Sequence, residues 1–371
     1  MSALAGLLGD HTVQTVALGA AILGVTSGVL GSFALLRRQS LMGDTISHAA
    51  LPGICLGFLL AGARDLGAIL GGALATGGLA ALAVMLIARH TRLKMDAAQG
   101  IVLGGFFAIG VVLLTLVQAG GGAGQAGLTA FLFGQAAAML RGDLFVMGGG
   151  AALALGLVGL FWKELKLVAF DPVFARSLGL PVAALEAGLT LLVALAIVLG
   201  LQLVGVVLMT AMLIAPAAAA RQWTDRLGRM VLLAAGFGTL AGLVGALGSA
   251  LGRGYATGPL VVLCATALTV VSILAAPRRG LVARWLARAA RRRQLRGARL
   301  LATFQGLAAA HGDPDYPVEE GMIAARHGPA GRTLARLEAE GMIRPVSHPP
   351  EATRHWVLTG KGHRSGAGEG P

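Results

Sequence analysis

Gly43-Asp44-Thr45-Ile46-Ser47-His48 opens an apolar segment that runs to about Leu60. It places one acid and one imidazole inside a stretch that is otherwise hydrophobic. Nearly every other Asp, Glu, Lys, Arg and His before Pro277 falls at the end of such a segment. A charge within a membrane span costs on the order of 2.5–3.5 kcal/mol or more, so it marks a pathway, a relay or a ligand. Four residues along a helix is one turn and about 40° around the axis, so both side chains can face one point. A plainer reading starts the span later and makes Asp44 an N-cap at the membrane edge. His48 lies deeper and fits that reading less well.

Composition sets the frame. The 371 residues are 56% hydrophobic and 13% charged, with mean hydropathy +0.77. A soluble domain is about a quarter charged, so the expected class is an all-α polytopic membrane protein. The 57 glycines fit helices that approach closely in lipid. Cys55 and Cys264 both lie in apolar segments and read as small core residues, not a disulfide. No basic region precedes the first apolar stretch, so no cleavable signal peptide is evident.

A span needs about 20 mostly apolar residues. Segments at 12–36, 43–61, 66–88, 97–118, 143–162, 187–202, 204–220, 229–250 and 258–276 make about nine. The run 187–220 divides at Gln202 and Gly205, a plausible tight turn. Alternate loops carry Arg37 and Arg38; Arg89, Arg92 and Lys94; Lys163, Lys166 and Arg176; and Arg221, Arg226 and Arg229. The others carry only Arg64, Arg141 and Arg253. Eleven basic residues against three place the N-terminus outside and the C-terminal tail in the cytoplasm. Merging the sixth and seventh spans would put Arg221, Arg226 and Arg229 outside, so the bias favours the split.

Leu36 to Gly53 (LRRQSLMGDTISHAALPG) resembles the signature of the permease subunits of ABC importers for zinc, manganese and iron. Three further stretches agree in order. Phe131 to Gln135 is similar to that family's external segment, Val204 to Arg221 to its long proline-containing span, and Gly258 to Cys264 to the start of its last span. The likeness covers roughly residues 1–276. It implies a multi-pass protein of the bacterial cytoplasmic (inner) membrane, a second permease copy or paralogue, a separate ATPase pair and an extracytoplasmic metal-binding protein. It also implies that Asp44 and His48 contact the metal in transit. The chain has no G-x-x-x-x-G-K-[ST] phosphate loop, so it reads as a transporter subunit, not an enzyme.

A carboxylate and an imidazole suit manganese, zinc or ferrous iron. No Cys or Met lies one turn away on the same face, which argues against a cuprous site. Two ligands are too few for tight binding, since structural zinc takes four. A two-fold dimer would bring a second Asp and His to the axis. The ion is cargo; no resident cofactor is expected. The alternative for His48 is a core imidazole donating to a backbone carbonyl.

Asp171-Pro172-Val173-Phe174-Ala175-Arg176-Ser177-Leu178-Gly179-Leu180-Pro181 is cytoplasmic by the charge rule. Its prolines bracket a short helix, and a second is expected to run through Glu186. The segment resembles the paired coupling helices of related importers, which dock on the ATPase, with Val173, Phe174 and Leu178 as apolar anchors. Arg221 to Arg226 is a weaker contact candidate. On the other side, Leu128 to Leu140 is too short to span and reads as an interfacial helix or a connector.

Of 30 Lys and Arg, 14 precede Pro277 and 16 follow it. Residues 277–299 read as a basic linker with Arg291-Arg292-Arg293 as an inner-leaflet anchor for anionic lipid. Residues 300–362 read as a small α+β domain: helices at 299–310, 317–326 and 329–340, then a hairpin of 342–346 with 355–358. Leu334 to Ile343 and Trp356 to Thr359 resemble a winged helix-turn-helix of diphtheria-toxin-repressor type. There Arg332 and Arg336 would meet nucleic-acid phosphate, although Glu338 and Glu340 lie close by. His311, Asp313, Asp315 and His327 are a candidate regulatory metal set. Residues 363–371 read as disordered. The leading function is therefore permeation of a divalent transition metal. The rivals are a permease for a metal chelate and a membrane-anchored regulator acting through the tail.

Overall fold

The computed structural model describes residues 11–61, 65–119, 134, 139–251, 255–277, 279–347 and 353–366. The chain divides into two units, Met1–Gly280 and Leu281–Pro371.

In the first unit the described residues form α1 (His11–Leu36), α2 (Met42–Ala61), α3 (Leu66–His90), α4 (Met95–Ala119), α5 (Arg141–Leu160), α6 (Trp162–Phe170), α7 (Pro172–Ser177), α8 (Val182–Val204), α9 (Val206–Trp223), α10 (Leu227–Leu251) and α11 (Thr257–Ala275). Eight of them are long and apolar enough to cross a membrane: α1 to α5, α8, α10 and α11. Nine spans were expected. The remaining segment, α9, is an 18-residue helix separated from α8 at Gly205. Gly205 has φ +89°, a conformation that only glycine adopts without strain. The apolar run 187–220 therefore breaks where the tight turn was expected.

Close helix contact rests on missing side chains. On α2, a Cβ on Gly53 would fall inside contact distance of the Gly72 backbone of α3. Gly24 of α1 and Gly238 of α10 face each other in the same way. Small residues are what allow such approach where lipid gives no hydrophobic drive between helices. Cys55 and Cys264 are both free thiols.

Two departures from expectation have simple causes. The segment 163–170, expected as loop, forms α6 because Leu165 and Val168 fall on one buried face while Lys163 and Lys166 stay exposed. The second helix does run through Glu186, but it is not a separate short one. Nothing breaks the chain between Glu186 and the apolar run, so α8 is one helix from Val182 to Val204. The interfacial helix expected at 128–140 lies almost wholly outside the described residues.

The second unit contains α12 (Leu281–His311), β1 (Val318–Glu319), α13 (Glu320–His327), α14 (Gly331–Ala339), β2 (Ile343–Val346), β3 (His355–Leu358) and α15 (Gly360–Gly366). Its sheet has the order β1-β3-β2, all antiparallel, with Ile343 opposite Leu358 and Val318 opposite Trp356. Leu300, Leu301, Phe304, Ile323, Leu334, Leu337 and Trp356 fill the core. The expected linker 277–299 is not irregular chain. From Leu281 it is the first half of α12, because its Ala, Leu and Arg are strong helix formers. Residues 363–366, expected as disordered, belong to α15, and Val318–Glu319, expected as helix, enter the sheet before α13 begins.

Candidate metal pathway and coupling surface

The site is built at the start of α2. The α1–α2 loop begins with a helix C-cap: Arg38 N–H donates to the Leu35 carbonyl (3.1 Å) and Gln39 N–H to the Ala34 carbonyl (3.0 Å). This is the Schellman pattern, with Arg38 at φ +55° where glycine is usual. Met42 starts α2, so Asp44 is inside the first turn and not its N-cap. A carboxylate there is favoured by the helix dipole.

The neighbouring hydroxyls are already used. Thr45 Oγ1 donates to the Leu41 carbonyl (3.1 Å) and Ser47 Oγ to the Gly43 carbonyl (2.8 Å). Their protons are committed to the preceding turn, and a neutral hydroxyl is a weaker ligand for a divalent ion than a carboxylate or an imidazole. Asp44 and His48 differ. His48 Nε2 lies 3.4 Å from Asp44 Oδ1, with the side chains 20% and 39% exposed respectively. His48 Nδ1 is buried without a hydrogen-bond partner, and the ring meets Phe107 of α4 edge-on at 5.1 Å. The core-imidazole alternative required Nδ1 or Nε2 to donate to a carbonyl, and neither does. One turn on, Pro52 has no N–H to give the His48 carbonyl, so backbone polarity also increases here. Sequence reading passed over that proline.

Among the described residues no three His, Cys, Asp or Glu side chains converge as a metal site. One copy therefore brings together two candidate ligands, Asp44 and His48, too few for a closed site. The candidate regulatory set in the tail is not a cluster. His311 stacks on Tyr316 at 3.9 Å, Asp313 Oδ1 accepts from Asp315 N–H (2.9 Å), and His327 Nε2 pairs with Thr303 Oγ1 (2.8 Å).

The short helix expected between Pro172 and Pro181 is present as α7. Asp171 caps it, its Oδ1 accepting from Phe174 N–H at 2.9 Å, and Pro172 occupies the first turn. Val173, Phe174 and Leu178 are 71%, 51% and 58% exposed, a run of apolar side chains left uncovered by the described residues. Gly179 ends the segment at φ +80°. Ala175 does not belong to this outer face. It is fully buried against Val168 and Val182.

In the tail, Arg291, Arg292, Arg293 and Arg332 are exposed. Arg336 is committed inside the fold: it donates to the Arg293 carbonyl (3.1 Å) and pairs with Glu340 (3.4 Å). Its side chain stays about a third exposed.

The residues that sequence reading missed are Arg37, Arg89 and Glu186. Glu186 Oε1 is 3.4 Å from Arg37 Nη2, and Glu186 Oε2 accepts from Arg89 Nη2 at 3.2 Å. Burial, ahead of the opposing pull of Glu186, lowers the Arg37 guanidinium from its usual value; Arg89 lowers it further.

This arrangement sits in a chain that matches the ABC 3 transport family over residues 9–276. The chain belongs to that family. It is 48% identical over 271 residues to the manganese transport system membrane protein MntC of Bacillus subtilis, covering 73% of this chain and 62% of that one. It is 46% identical over 282 residues to the zinc transport system membrane protein TroC of Treponema pallidum, covering 76% and 95%. The chain thus spans less than two thirds of the first relative and nearly all of the second. Among solved structures, PsaBC from Streptococcus pneumoniae in complex with Fab is similar at TM-score 0.67 and 34% identity, covering 75% of this chain and 98% of that one. This ABC 3 family member is a multi-pass protein of the bacterial cytoplasmic membrane.

Proposed function

We propose that this chain is the membrane-spanning permease of an ATP-driven importer for a divalent transition metal. The observation that carries the reading is the Asp44–His48 pair. It joins a carboxylate and an imidazole at 3.4 Å on the first two turns of an apolar helix, with one ring nitrogen unpartnered. The cargo is manganese or zinc, the metals in the relatives' names; nothing adds weight to iron. A second copy brings a second Asp44 and His48, and the four groups hold the ion briefly at the shared axis. The N-terminus is outside. α7 docks on a separate ATPase subunit, which hydrolyses the ATP, and an extracytoplasmic metal-binding protein delivers the ion.

The tail reads as a winged-helix-like unit, with the order helix, strand, helix, helix, strand, strand. Its basic first helix follows the last apolar helix by five residues and suits anionic lipid. With Arg336 engaged, contact with nucleic acid is the weaker use and a regulatory or protein-contact role the better one.

Purified permease with its ATPase in vesicles tests the reading. ATP-dependent accumulation of free Mn or Zn is expected. Accumulation of a siderophore-type chelate alone would sink it. Deleting 281–371 separates transporter from regulator, since a transporter keeps uptake without its tail.

A further inference from the structure

We propose that Glu186 and Arg37 are positioning residues that carry the ATPase stroke to the ligand-bearing helix α2. The proposal rests on the reading of α7 as the ATPase contact.

The mechanical chain runs through packed groups. The inner face of α7, Ala175, is buried against Val168 of α6 and Val182 of α8. A displacement of α7 therefore moves the start of α8 with it. Glu186 stands one turn beyond Val182. There it holds Arg37 through Oε1 (3.4 Å) and through its backbone carbonyl (3.5 Å), and Arg89 through Oε2 (3.2 Å). One acid thus ties together the start of α8, the end of α3 and the loop between α1 and α2.

The far end of the chain is stiff. The Arg37 side chain is only 9% exposed, so its contact with Glu186 is held in place and not exchanged freely with water. Arg37 lies seven residues before Asp44, and the loop between them is fixed by the C-cap hydrogen bonds at Arg38 and Gln39. A pull on Arg37 is passed to the first turn of α2, where Asp44 and His48 sit. Room for movement exists beside the cluster. A cavity of about 430 Å³ is lined by Arg37, Arg89, Arg176, Val182, Ala183 and Glu186 among others. Glu186 is the one acid among its lining residues, and it pairs with two of the three guanidinium groups there. Neutralising it removes the attraction that joins the three elements.

The test uses the full permease with its ATPase in vesicles, reading ATPase binding, ATP hydrolysis and metal moved per ATP. Glu186→Gln is expected to keep the ATPase bound and hydrolysing while metal moved per ATP falls about tenfold, within the 5–150-fold range of site-to-site coupling. Glu186→Asp should recover part of the loss. An unchanged ratio in Glu186→Gln overturns the proposal. If that variant fails to assemble, Arg37→Gln, which leaves Glu186 paired with Arg89, decides: a lowered ratio supports the link, and an unchanged ratio overturns it. V173E/F174E tests the underlying reading separately. If it still binds the ATPase and transports, α7 is not the contact. If it loses the ATPase while Glu186→Gln keeps its ratio, only the link fails.

Discussion

Two ionic clusters flank the α1–α2 loop, and they differ in how fully they are satisfied. Arg37, Glu186 and Arg89 close on one another: both carboxylate oxygens and the backbone carbonyl of Glu186 face a guanidinium. Asp44 and His48 meet at 3.4 Å but leave a ring nitrogen without a partner and a carboxylate two-fifths exposed. A closed cluster can hold elements in place. An open one can accept a third body. The difference lies in coordination left over, since both contain one carboxylate and nitrogen donors.

The sharpest way to break this contrast is to remove the open pair. Asp44→Ala and His48→Ala should each bring metal uptake down to background, with the permease still inserted and still bound to its ATPase. Uptake at the wild-type rate in both would leave the pair without a role. Loss of ATPase binding instead would make it structural, like the closed cluster. Next in size is the α2–α3 contact that holds the pair in register. Gly53→Leu forces a side chain against the Gly72 backbone and should cost about 1–3 kcal/mol, lowering the amount of folded permease in membranes. Smaller again is Phe174→Ala. It removes one half-exposed apolar anchor, so ATPase affinity should fall by about 2 kcal/mol, roughly 30-fold, with metal binding at Asp44 and His48 unchanged.

The open pair was legible in the sequence and the closed cluster was not, for a physical reason. Asp44 and His48 are four residues apart in an apolar run, so one local rule brings them together. Arg37 and Glu186 are 149 residues apart, and each looks like an ordinary charge at a segment end. Only packing of α1, α3 and α8 makes them partners. The same split runs through the coupling segment. Pro172 and Pro181 announced α7, yet Ala175 reads no differently from its exposed neighbours until Val168 and Val182 cover it. The break at Gly205 was readable because it depends on one residue's backbone. The charge run before residue 300 left its local structure open. Arginine density suggested a linker, but Arg and Ala extend a helix as readily as they solvate a loop.

Arg336 extends the contrast to the second unit and predicts the smallest effect. By sequence it is a basic residue on the third helix of a winged-helix-like domain, placed to meet phosphate. In the fold it donates to the Arg293 carbonyl of α12, pairs with Glu340, and lies over Gly297. Like Arg37 it is a closed group, but it is about a third exposed and so worth less. Arg336→Ala should lower the stability of the tail by about 1 kcal/mol or less, a few degrees in its melting transition. Metal uptake should not change. A loss of nucleic-acid or lipid binding in this variant, with the melting transition unmoved, would show that the guanidinium serves a partner rather than the packing of α14 on α12.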